Sequence, residues 1–173
     1  MEYSNSIHFS GDVEKAFDMA SRILMANNFT VVDQDENRLE FTGQGMRSTK
    51  QNPILGATRI TIEADYENLH LNAELGGVEW MRRFVTYFPK AMAAGLISIY
   101  AVVVSCIVFF LPVAVVWQGI LLGVPIIGLV FAPWRFISPM MIRMIKRRTD
   151  EALDSLLTNI AAAGNRAVER TFH

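Results

Sequence analysis

Ile7 and Phe9 fall on one side of the stretch Ser4–Phe9 and His8 on the other, the period of two that marks a half-buried strand. Ser10-Gly11-Asp12 then offers capping side chains, and Val13, Ala16, Phe17, Ala20, Ile23 and Leu24 recur at helical spacing. Asn27-Asn28 predicts the helix stop, because Asn tolerates the left-handed conformation. Strand character returns over Phe29–Val32, Leu39–Phe41, Thr58–Ala64 and Leu69–Leu75. Asp35-Glu36-Asn37 and Tyr66-Glu67-Asn68 supply turn chemistry between them. Gly43 to Gly56 reads as a flexible loop. The predicted order βαββββ gives residues 1–77 a small α+β fold, one helix on an antiparallel sheet.

The pattern then changes scale. Gly76-Gly77 is expected to break the chain, and Val78 to Phe88 mixes Trp80, Phe84, Tyr87 and Phe88 with Arg82 and Arg83. Aromatic and basic side chains favour the lipid–water boundary, so residues 78–90 read as an interfacial amphipathic segment. From Ala91 to Trp134 there is no charged side chain. A bilayer core is about 30 Å thick and takes about 20 apolar residues of helix to cross. The run is roughly twice that length, with Pro112 near its middle. Residues 91–134 therefore predict a transmembrane helical hairpin of two spans.

Past the run, Ser138-Pro139 has the form of a helix start, with Ser as N-cap and Pro at the first helical position. Ile142, Ile145, Ala152, Leu156 and Ile160 form an apolar stripe, widened by Leu153 and Leu157. Residues 135–164 thus predict a C-terminal cytoplasmic amphipathic helix closed by Gly164, and residues 165–173 a flexible tail. A stripe this wide has to be covered. Bundling with copies of the chain is preferred here over docking on the first domain.

Charge sharpens the picture. Residues 1–78 hold twelve acids and six bases, about −6 net, although the whole chain sums to −1. Next to the apolar run the sign flips: Trp80, Arg82, Arg83 and Lys90 precede it, and Trp134, Arg135, Arg143, Lys146, Arg147 and Arg148 follow. These residues read as headgroup and topology anchors. Basic flanks stay on the cytoplasmic side, so both termini are expected in the cytoplasm, with the chain in a bacterial inner membrane. An acidic domain on a basic collar argues against nucleic acid as a partner and suits an anionic lipid surface.

Candidate chemistry is sparse. Cys106 is the single cysteine, so no intrachain disulfide forms. No metal, cofactor or catalytic spacing emerges, and the chain reads as a non-enzyme. His8 and His70 read as a solvated pair. Small residues recur at Ala91, Ala94, Ser98, Ala101 and Ser105, and Gly119 and Gly123 make a second small pair. In lipid, small residues permit close helix packing. With Leu156 and Ile160 they are the expected oligomerisation surface. Met46, Arg47 and Lys50 are a candidate partner-contact loop. The expected function is a self-associating membrane protein that presents its acidic domain as a scaffold or interaction module to a cytoplasmic or membrane protein. The alternatives are an oligomeric pore subunit and a membrane-tethered enzyme.

Overall fold

The computed structural model describes residues 1–108, Gly123, Pro125, Leu129 and 131–171. Its elements are β1 (Glu2–His8), α1 (Val13–Ala26), β2 (Thr30–Gln34), β3 (Arg38–Thr42), a 3-10 turn (Pro53–Gly56), β4 (Arg59–Asp65), β5 (Asn68–Glu74), α2 (Gly76–Val108) and α3 (Trp134–Thr171). They divide into two compact units: Met1–Met81 with Arg143–His173, and Arg82–Ile142.

The strands form one antiparallel sheet in the order β1-β5-β4-β3-β2, as the alternation predicts. Register sets the two faces. Tyr3, Asn5 and Ile7 stand opposite Ala73, Leu71 and Leu69. Leu71 stands opposite Ile62, and Ile62 opposite Leu39. Leu39, Phe41, Ile60, Ile62, Leu69 and Leu71 are all fully buried. On the edge strand β2 a bulge between Val31 and Asp33 turns Val32 outward, which disrupts further pairing at that edge.

Two helices cover the buried face. Asp12 caps α1 by accepting from the Lys15 amide, and Asn28 takes the left-handed conformation just past its end at φ 62°. The second cover is α3, whose Leu153, Leu156, Leu157 and Ile160 are buried in the same unit. The backbone of Asp12 donates to the carbonyl of Gly164 at 3.2 Å. A Cβ on Gly164 would meet Phe9 Cε2 at 2.6 Å, so glycine is required there for close approach and not as a stop.

Several sequence expectations are corrected. Gly76-Gly77 starts α2 instead of breaking the chain, because a Cβ on Gly77 would strike the Met46 amide at 2.5 Å and the Leu55 carbonyl at 2.6 Å. Val78 and Met81 are core residues, and one continuous helix replaces a separate segment at 78–90. Ser138-Pro139 lies inside α3, which begins at Trp134. The carbonyl of Pro133 accepts from the Phe136 and Ile137 amides and closes the first turn before the proline is reached. The helix also runs through Gly164 to Thr171, where a tail was expected from residue 165.

Candidate functional site

Among the described residues, one helix is long and apolar enough to cross a membrane, Gly76–Cys106, with mean hydropathy 1.6 over its most apolar window. Only 6% of that window is buried, whereas the core helix of a soluble protein is mostly buried. The second expected span, including Gly119, falls almost wholly outside the described residues.

The geometry of the second unit is built around Pro89. Proline lacks an N–H, so the Val85 carbonyl four residues back loses its helical donor. The indole N–H of Trp134 donates to that carbonyl at 2.8 Å. Tyr100 lies against Gly123, where any Cβ would collide with its ring. Val85 and Pro89 are buried, while Ala93, Tyr100 and Val104 are half-buried. That stripe of α2 faces the returning chain.

The small-residue seam lies on a different stripe. Ala91, Ala94, Ser98, Ala101 and Ser105 are all exposed. The two serine hydroxyls donate to carbonyls within their own helix, Ser98 to Ala94 at 2.9 Å and Ser105 to Ala101 at 2.8 Å. An exposed seam whose hydroxyls are already satisfied tolerates lipid and permits close helix contact.

Leu156 and Ile160 are placed elsewhere than expected. They are 3% and 0% exposed within the chain's own first unit, so no surface of theirs is left for another copy. The physical reason is the sheet face, whose apolar residues need more cover than α1 provides. Met46 is likewise a core residue at 4% exposure. Arg47 and Lys50 are exposed, but their loop is tied down: Gln51 Oε1 accepts from the amides of Arg47 at 2.7 Å and Ser48 at 2.9 Å.

The basic collar divides. Lys90 and Arg135 line one cleft with Trp134. Trp80, Arg82 and Arg83 are exposed on α2, and Arg143 and Arg148 on α3. Lys146 and Arg147 pair with Asp150 at 4.0 Å and Glu151 at 3.1 Å.

Two electrostatic features escape sequence reasoning. On the open face of the sheet, Glu40 sits between Arg38 at 3.0 Å and Arg59 at 3.2 Å, with Glu63 and Glu74 beyond them. The two guanidiniums offset most of the charge of these three carboxylates. The acidic excess gathers instead where Asp12, Glu14 and Asp18 of α1 share a groove with Asp35 and Glu36.

The second feature joins β1 to α3. The Tyr3 hydroxyl and Asn5 Nδ2 both donate to Asp154, the amide at 2.6 Å. Burial, with help from that carboxylate, pushes the Tyr3 phenol up to about 12. Asp150, one turn back, holds its proton above the usual carboxylate range, chiefly through desolvation. Its Oδ1 is buried with no protein partner. Tyr and Asn on the inward side of an edge strand were the available signal, since buried polar groups seek partners.

Among the described residues no group of three or more His, Cys, Asp or Glu side chains is placed to hold a metal ion. No protein-family model, curated protein or solved structure matches this chain.

Proposed function

We propose that this chain is a small integral membrane protein that self-associates through its membrane segment and holds an acidic interaction domain at the cytoplasmic surface. The observation that carries the reading is the exposed seam of Ala94, Ser98, Ala101 and Ser105. It lies on the apolar helix, off the stripe used within the chain. Small residues at such positions let helix backbones approach closely in lipid.

The two-span hairpin is part of this proposal. Met1–Met81 and Arg143–His173 belong to one compact unit, which supports a reading with both on one side of a membrane. A chain that leaves one side and returns to it crosses an even number of times. The pairing of Val85 with Trp134 and of Tyr100 with Gly123 runs antiparallel, as a hairpin requires. The basic residues at both ends of the run favour the cytoplasmic side. The acidic groove beside α1 is then the surface offered to a basic partner protein.

The test is the mass of the detergent-solubilised full chain. More than one copy per particle is expected, and Ala101→Leu should reduce it to a single copy without lowering the thermal transition. A wild-type particle of one copy would end the self-association reading. Ion flux from liposomes that Ala101→Leu abolishes would transfer the seam to a pore.

A further inference from the structure

Lys90 is the last charged residue before the uncharged run and Arg135 the first after it. The fold brings both to one cleft of about 530 Å³ in the second unit, within the range of roughly 300–1,000 Å³ typical of ligand sites. Thr86 and Ser138 add hydroxyls to its wall, and Pro89 and Trp134 add apolar surface.

Two cations sharing a cleft repel unless an anion sits with them. Their own sequence offers none: no residue between Glu79 and Asp150 is acidic. Among the described residues neither Lys90 nor Arg135 forms an ion pair. The Lys90 ammonium lies over the Tyr87 ring at 5.6 Å from its centroid, a contact that carries no formal negative charge. Both side chains are exposed, so their charge is open to an anion from outside the chain. Directly beyond Lys90 in sequence, α2 exposes Met92, Leu96, Ile97 and Ile99, an oily surface on the helix that carries Lys90 into the cleft. A ligand that matches both carries a phosphate next to acyl chains.

We propose that the cleft is a specific site for the phosphodiester headgroup of an anionic phospholipid. Arg135 and Lys90 together set two positive charges against the phosphate, and the acyl chains lie along the exposed face of α2. The proposal rests on the membrane reading above.

The experiment uses the full chain, reconstituted in vesicles of mixed phosphatidylglycerol and phosphatidylcholine, extracted gently and weighed by native mass spectrometry. Phosphatidylglycerol should be retained in preference to phosphatidylcholine, and a large excess of inorganic phosphate should not displace it. Lys90→Gln with Arg135→Gln should cut retention by roughly tenfold or more, as expected for two headgroup cations. The charge-keeping pair Lys90→Arg with Arg135→Lys should preserve it, and so should Arg143→Gln with Arg147→Gln. Equal retention of both lipids would overturn the site. So would displacement by phosphate, loss in the charge-keeping pair, or equal loss in the Arg143 and Arg147 variant. A chain that stays dissolved without detergent would instead overturn the membrane reading. A chain that needs detergent yet retains no phosphatidylglycerol overturns this proposal alone.

Discussion

The indole N–H of Trp134 occupies the place of a missing backbone donor: it binds the Val85 carbonyl at 2.8 Å, the acceptor that Pro89 cannot serve. The repair comes from the opposite end of the uncharged run. A buried carbonyl left without a partner costs about 1–3 kcal/mol, more than a typical hydrogen bond contributes, so the tryptophan matters mainly by preventing that loss.

Trp134→Phe should therefore lower the stability of the detergent-solubilised protein by about 1–2 kcal/mol. Pro89→Ala restores an N–H at position 89 and makes the indole redundant. In that background the same Trp134→Phe change should cost less than half as much. Thermal unfolding of the four proteins measures the coupling, and additive losses would show that the indole acts through packing alone.

Asp150 gives an acid-side test. Its folded-state pKa is raised by burial, so the folded protein binds the proton more tightly than the unfolded chain does. Stability is then greatest below the ordinary carboxylate pKa and declines as pH rises through the raised value. Lys146 at 4.0 Å offsets little of this. Asp150→Asn should raise stability at neutral pH, since it removes the partly desolvated negative charge while keeping the side chain's shape. Below about pH 4 wild type and variant should converge, because the carboxyl is then protonated in both states. Melting curves across pH check both limits.

Tyr3 gives the alkaline counterpart. Its phenol is raised to about 12, against about 10 in an unfolded chain. Its stabilising contribution is complete below pH 10 and is lost as pH climbs through 12. Tyr3→Phe should cost about 1–2 kcal/mol at neutral pH through the lost bond to Asp154, and it should flatten the alkaline decline. Phenolate absorbance of the folded protein, compared between the two, locates the titration.

Two glycines separate packing from helix propensity. Replacing a helical Gly by Ala gains about 1 kcal/mol of propensity. At Gly95 a Cβ meets nothing within 4 Å, so Gly95→Ala should be neutral or slightly stabilising. At Gly164 the Cβ would lie 2.6 Å from Phe9 and 2.9 Å from the Asp12 carbonyl. Overpacking of that kind costs about 1–3 kcal/mol and should outweigh the propensity gain. Gly164→Ala is expected to lower the melting temperature and Gly95→Ala to leave it unchanged or raise it.

The sheet, α1 and the long apolar helix were legible because each rests on a local signal. The period-two alternation of Ile60 and Ile62, the Asp12 cap and the absence of charge after Lys90 all sit within a few residues of what they specify. The role of α3 was not legible. Its stripe of Leu153, Leu156, Leu157 and Ile160 shows that something must cover it, but a stripe does not name its partner. Only the register of β1, which turns Tyr3 and Asn5 toward Asp154, selects the chain's own sheet. Helix ends failed for a related reason. Gly76, Gly77 and Gly164 look like punctuation, yet each serves a close approach to a segment distant in sequence. The cleft could be read only halfway: Lys90 and Arg135 bracket the uncharged run, but their meeting depends on the chain turning back.

The placement of α3 on the sheet has a consequence for biogenesis. The ribosome releases β1 through β5 long before α3, with the entire oily segment emerging in between. Until that last helix arrives, the nascent sheet lacks one of the two helices that shield Leu69, Leu71 and their neighbours. On the proposed membrane reading, maturation of the water-facing part would follow insertion, and a chain stalled in the translocon would display an unfinished sheet to quality-control proteases.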